Sequence, residues 1–420
     1  MTEPGDPDEA VAALCAAVAA YDHEAATELV RAGADPDRVL PDGTTPLLRA
    51  VEGGSPAVVT ALLGDDARLR LPEAERGRLL DAAREWYEEG AQERLRRLTG
   101  WAGPADIAWV QHSEYEVVPE VTLGGRSVRA GHGAVLTRLE WEFRVLAPVA
   151  ELVDRAVRSP GNADVEHVDR IASLHVLWAR RSAQTWAEAV AFRHDPDPRR
   201  RAFVVDVVRY RLWSWYDTAH AVWYERECHR VLLEWEPVEA DADVLARILE
   251  LLKQTDLPDK EAIVLRRAGH PAPGVRREVP GLLEGPLSPQ ALCAVRALCR
   301  DTDGAVRTAA AEVLAGEELA ETDRERVAAL LRDADPEVVR WTAYALGRGA
   351  DRSPEATELL AGCLGSGDTH VRLSAAYGLA LRDDPRTPEA YAKVGPLGPY
   401  ADDSRADGLW RWRARNRAGG

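Results

Sequence analysis

Lysine is nearly missing from this chain. It stands only at positions 253, 260 and 393, so arginine supplies almost all of the 53 basic residues in 420. Acidic residues number 70, the net charge is −17, and no stretch is broadly basic. A surface that tracks phosphates needs clustered cations, so this balance argues against a dedicated nucleic-acid binder. The arginine bias, with abundant Ala and Gly, suggests a high-GC bacterial coding sequence. No apolar run approaches the roughly 18 to 20 residues of a membrane helix. The acidic start Met1-Thr2-Glu3-Pro4 lacks the basic-then-apolar order of a secretion signal. Five cysteines (Cys15, Cys228, Cys293, Cys299 and Cys363) are widely spaced with no Cys-x-x-Cys, which reads as reduced thiols in a cytoplasmic protein. The standard strings for zinc hydrolysis, phosphate loops, dinucleotide binding and nucleophile elbows are missing as well. No cofactor or metal is expected.

What the sequence does have is internal repetition, which decides architecture before any single element does. Ala17, Val18, Thr27, Leu29 and Ala34 recur as Ala50, Val51, Thr60, Leu62 and Ala67, each 33 positions later. Asp42-Gly43 before the second copy suits a tight turn, and Pro46 suits a first helical turn, where a missing N–H costs nothing. With Gly33-Ala34-Asp35 before the turn, this resembles the ankyrin repeat, with Leu48 in place of the family's usual His after Thr-Pro-Leu. A third, degenerate unit is expected around Ala83, Tyr87, Gly90 and Leu95, so the resemblance covers about residues 8–99.

The C-terminal half repeats differently. Asp301-x-Asp303-x-x-Val306-Arg307 returns as Asp333-x-Asp335-x-x-Val338, and as Gly367-Asp368-x-x-Val371-Arg372. Weaker copies put the valine position at 200, 244 and 275, with Arg200 in the first. Asp or Pro at each turn caps a helix, and alanines such as Ala310 and Ala375 allow close helix packing. The pattern resembles short bacterial HEAT repeats, clear over 190–385 and degraded over 135–190. The Asp-x-Asp pairs are accordingly expected to be helix caps, although paired carboxylates can also ligate metals. Cys228-His229 has no second pair at zinc spacing.

Between the arrays, Glu120 to Val128 alternates around Gly124-Gly125, the mark of a two-residue hairpin. Residues 136–158, with Trp141, Phe143, Leu146 and Val149, read as one amphipathic helix. The expected organisation is all-α: an ankyrin-like array over 1–100, a hairpin connector over 101–135, a HEAT-like α-solenoid over 136–400 and a tail over 401–420. The connector's His112, His132 and Arg126 stand near Gly-rich turns, where a loop seals one array against the next or makes a specific contact.

Six tryptophans fall between 178 and 235. On one helix, Trp213, Asp217, His220 and Tyr224 would share a face at spacings of four, three and four. Two readings stand side by side. Either these residues pack neighbouring helices, or they line a groove in which aromatic walls hold a ligand and Asp217, His220 and Glu227 handle protons near neutral pH. Ser214-Trp215-Tyr216-Asp217-Thr218-Ala219-His220 is similar to a string of the HEAT-like DNA alkylation-repair glycosylases. That resemblance implies nucleotide-contacting roles at Tyr216 and His220, with His220 where the family carries an acid. Leu177-Trp178-Ala179-Arg180-Arg181 resembles that family's Arg-bearing helix in the opposite chain order.

The expected function is a non-catalytic scaffold that binds a protein or peptide, with ligand contacts at Trp178, Arg181, Trp213, Tyr216, Trp223 and Tyr224. The alternative is a groove enzyme acting on a peptide, a small metabolite or, less favoured, a nucleobase, with His220 and Asp217 or Glu227 as acid and base.

Overall fold

The computed structural model describes residues 7–113, 116–158, 166–213, 218–258, 260–284, 286–395 and 403–417. Over these residues the chain is helical apart from one small sheet, and it divides into two compact units, residues 1–228 and 229–420. No described helix is long and apolar enough to cross a membrane.

The first unit begins with three helix pairs: Pro7–Ala19 with His23–Arg31, Pro46–Gly53 with Pro56–Leu63, and Glu73–Glu89 with Ala91–Thr99. The turn before the second pair folds as its residues dictate. The Asp42 carboxylate accepts from the Thr44 amide at 3.0 Å and from its hydroxyl at 2.6 Å. Thr45 then caps the helix by accepting from the Leu48 amide at 3.1 Å, with Pro46 in the first turn. Gly90 separates the third pair, and Ala83 and Leu95 are fully buried.

The expected hairpin is present. Strand β1 (Asp106–Gln111) pairs antiparallel with β2 (Glu116–Leu123), which turns through Gly124-Gly125 into antiparallel β3 (Arg126–Arg129). Both glycines hold positive φ, +59° and +80°, as a tight primed turn requires. A short strand β4 (Glu166–His167) runs parallel to β2 at Glu116 and Val117. The hairpin seats on the second helix pair at Gly54. There φ is +71°, the Gly131 amide donates to the Gly54 carbonyl at 3.2 Å, and an added Cβ would stand 1.9 Å from the Arg129 carbonyl.

The single helix expected over 136–158 is two helices, His132–Glu142 and Val149–Arg158. Pro148 cannot donate in mid-helix and steers Ala147 away from the helical region. Arg144 takes φ +61°, and Leu146 points to solvent, 73 % exposed. The two helices are tied by a buried pair: Arg155 Nη1 lies 2.5 Å from Glu140 Oε2 and donates to the Thr137 hydroxyl at 3.1 Å.

In the second unit, helices begin on the anticipated aspartates. Asp241, Asp303, Asp335 and Asp368 each accept from a backbone amide of the first helical turn. The preceding aspartates do something the sequence reading did not anticipate. Asp301 receives Arg276 at 2.7 and 2.8 Å, and Asp333 receives Arg307 at 2.8 Å twice, so each repeat's arginine clamps the next repeat's turn. Arg340 continues the row onto Asp368 at 2.5 Å. Between helices Pro336–Arg348 and Thr369–Ala380, Gly347 faces Gly378 so closely that a Cβ on Gly378 would lie 2.6 Å from the Gly347 Cα. Small residues set that spacing.

Candidate functional site

The sequence places four residues on one helical face around His220, and the structure separates two of them. The helix Pro198–Leu212 ends with Trp213 as its C-cap, and Tyr224 belongs to the helix Thr218–Trp235. Trp213 is 54 % exposed, whereas Tyr224 is 6 % exposed. Asp217 and Tyr216 lie outside the described residues, as does the side chain of His220. Tyr224 sits in packing: the Trp186 ring meets it edge-on at 5.7 Å, and Arg211 lies over it at 4.1 Å while donating to the Leu177 carbonyl at 3.0 Å. Burial lowers the Arg211 pKa and raises that of the Cys228 thiol below it. Trp223 remains 41 % exposed and touches Tyr224 at 4.8 Å. Trp178 and Glu227 are half-buried and Arg181 is exposed, at φ +33°.

A better-formed concavity lies in the second unit. Glu337, Arg340, Trp341 and Tyr344 project from one face of the helix Pro336–Arg348, at spacings of three, one and three. His370, from the next repeat, and Asp403 to Arg405, at the start of the helix Ser404–Arg417, complete a groove of about 410 Å³. Trp341 is 42 % exposed and meets Tyr344 edge-on at 5.6 Å.

The charged residues of the groove are held in place. Arg405 donates to Asp403 at 2.5 Å and to the Ser374 hydroxyl at 2.7 Å, and its guanidinium stands 5.3 Å from the Tyr344 ring. That pairing keeps Asp403 below the ordinary carboxylate range, against the opposing effect of burial. Arg348 donates to the Tyr344 hydroxyl at 2.5 Å. Arg340 is braced between Glu337 and Asp368. The result is an aromatic floor, one exposed indole and guanidinium groups whose geometry is fixed before anything binds. Cation–π contact and aromatic burial are the interactions such a surface offers. No group of three or more potential metal ligands occurs among the described residues.

The sequence carried a signal for this groove that went unread. Counting three residues past the valine of the last three repeats gives Ala309 after Val306, Trp341 after Val338 and Ser374 after Val371. Where its neighbours carry small residues, the middle repeat carries the largest side chain and leaves it partly in solvent.

The repeat geometry and the sequence agree with a family comparison. Residues 324–394 match the family model for HEAT repeats. This segment is similar to HEAT repeats. The groove's helix face and His370 belong to that HEAT segment, and Asp403 to Arg405 come after it. No curated protein sequence matches the chain. Among solved structures, the X-ray structure of YibA from E. coli matches 63 % of this chain and 93 % of its own, with 19 % identity and a TM-score of 0.41. Human deoxyhypusine hydroxylase, in complex with glycerol, matches 67 % of this chain and 97 % of its own, with 15 % identity and a TM-score of 0.24. At these scores neither bears on function.

Proposed function

We infer that this protein is a non-catalytic scaffold that binds a peptide or protein segment in the HEAT-repeat groove around Trp341. One observation carries the reading: a partly exposed Trp at a position where the repeats on either side carry Ala309 and Ser374, on an aromatic floor with pre-positioned arginines. Trp, Tyr and Arg dominate the energetics of recognition surfaces because they combine large apolar area with directed polar contacts. The groove mixes Arg340, Arg405 and His370 with Glu337 and Asp403, so the partner suits an apolar anchor flanked by residues of both charges, and a polyanion fits poorly. The exposed indoles of Trp213 and Trp223 add a second contact in the first unit. The N-terminal helix pairs act as an ankyrin-type array. Support for this is the 33-residue offset and the Thr45 cap. The domain division at 100, 135 and 400 and a cytoplasmic location belong to the same reading.

The experiment is selection of a displayed random peptide library on the full chain. Enriched peptides sharing one apolar anchor, and displaced from the chain by one another, are expected. A library that yields no convergent motif after repeated rounds contradicts the scaffold reading.

A further inference from the structure

A second cavity lies in the first unit, where the helix Pro56–Leu63, the β1–β2 end, the helix His132–Glu142 and the helix Val168–Ala179 converge. Its volume is about 240 Å³ and its walls include Pro56, Trp141, Val168 and Ile171. This is small for a ligand site but is lined in the usual way, by apolar walls with a few convergent polar groups.

Those polar groups are unusual. The His112 side chain is 10 % exposed, and its Nδ1 is buried without a hydrogen-bond partner. Its Nε2 stands 3.6 Å from Glu116 Oε2. Burial, reinforced by Arg129 and His23, holds the imidazole pKa down at about 4, so it carries no charge to neutralise the carboxylate near pH 7. Burial raises the Glu116 pKa, with no cation opposing the shift. Across the cavity, Arg138 is already met by Glu142 at 3.1 Å, and near them burial and Arg138 lower the His175 pKa. Among the described residues, then, the cavity holds one carboxylate with no cationic partner, beside the Nε2 of an imidazole whose other nitrogen has no hydrogen-bond partner. A half-buried charge left uncompensated is costly, and each buried polar group normally finds a partner.

We propose that this cavity binds a small organic cation, an amine on a compact apolar body, with the ammonium held by Glu116 and His112 and the apolar part against Trp141, Val168 and Ile171. An ammonium gives Glu116 its missing counter-charge and offers protons to the carboxylate and to the His112 Nε2 beside it, in the tautomer that leaves Nε2 unprotonated. The small volume limits the body to about one ring. The site is separate from the HEAT groove and does not depend on the scaffold reading.

The test titrates phenethylamine, with 2-phenylethanol as the uncharged comparison, into the full chain by calorimetry at pH 7.5. Saturable one-to-one binding of the amine is expected, with binding of the alcohol at least tenfold weaker. Glu116→Gln should weaken the amine at least tenfold and leave the alcohol unchanged. Ile171→Trp, which fills the cavity without touching a charge, should abolish amine binding while circular dichroism shows an intact fold, so the proposal is testable even if the Gln variant folds poorly. No saturable amine binding at millimolar concentration, equal binding of amine and alcohol, or full binding by folded Ile171→Trp overturns the proposal.

Discussion

Arg307 and Asp333 face each other side-on across two successive repeats, with Nε and Nη2 each 2.8 Å from a carboxylate oxygen. The remaining nitrogen of Arg307 donates to the carbonyls of Asp301 at 2.9 Å and Thr302 at 3.2 Å. One side chain thus ties its own turn to the next. Both partners are largely buried, and Arg307 holds the Asp333 carboxylate below its ordinary range. Arg307→Ala should cost about 1–3 kcal/mol, because it strands a carboxylate as well as losing the pair. A double-mutant cycle with Asp333→Asn, read by urea unfolding, should give a coupling of at least about 0.5 kcal/mol. Strictly additive effects would mean the clamp is incidental.

Gly54 offers a sharper steric test. An Ala there would have to hold φ +71° and place its Cβ 1.9 Å from a backbone carbonyl, and backbone cannot swing aside as a side chain can. Gly33, at φ +103°, has nothing within 4 Å of the same atom. Gly54→Ala should therefore destabilise well beyond the roughly 1–2 kcal/mol of a left-handed Ala, and Gly33→Ala should cost only about that amount. Equal melting shifts for the two would contradict the seating of the hairpin on the second helix pair.

The thiols should divide by burial. Cys293 is exposed, whereas Cys228, Cys299 and Cys363 are buried, with burial pushing Cys299 up to about 12 and Cys363 to about 11. Only the thiolate reacts. With Ellman's reagent at pH 8, Cys293 should react quickly and those three only after denaturant is added. Fast modification of Cys299 in the folded protein would contradict its placement.

The first unit should show a pH dependence with two opposing parts. Asp169 is fully buried; burial raises its pKa to about 7, opposed by the Ala134 amide and by Arg155 and Arg158. The folded state therefore holds a proton that the unfolded chain releases near pH 4, and this contribution to stability is lost as pH rises from about 4 to 7. His132 and His167 behave oppositely: burial lowers both to about 4, so their contribution is present above about 6.5 and is lost as pH falls toward 4. Asp169→Asn keeps an acceptor for the Ala134 amide, which donates to Asp169 at 2.6 Å. Subtracting the two stability–pH curves should isolate a slope of up to about 1.4 kcal/mol per unit. A flat difference curve between pH 4 and 7 would show that Asp169 titrates normally.

How far the sequence could be read depended on whether the relevant forces are periodic. The repeat valines and capping aspartates recur because each repeat solves the same packing problem, so Asp303, Asp335 and Asp368 were readable as caps. The clamping arginine was harder to see because its place shifts: Arg307 follows its valine directly, and Arg340 follows Val338 by two. The hairpin was legible from Gly124-Gly125 and the alternation over Glu120 to Val128 around it. The break at 143–148 was hidden by apolar spacing that continued across Pro148. At the aromatic cluster, spacing implied one helical face, but the helix ends at Trp213, and pattern alone does not report where a chain turns. Trp341 has no periodic signature because it departs from the small residues, Ala309 and Ser374, that the repeats on either side carry at its position. The meeting of His112 with Glu116 follows from the pairing of the ends of β1 and β2, where the His112 amide donates to the Glu116 carbonyl at 2.8 Å, and has no periodic signature.

The most direct measurement of the central claim is the affinity of a selected peptide for wild-type protein, Trp341→Ala and Trp223→Ala, with the melting temperature of each. The HEAT groove account predicts at least a tenfold loss for Trp341→Ala with unchanged melting, and a smaller effect for Trp223→Ala. Full affinity in Trp341→Ala, with the loss appearing in Trp223→Ala, would contradict it and place recognition in the aromatic cluster of the first unit.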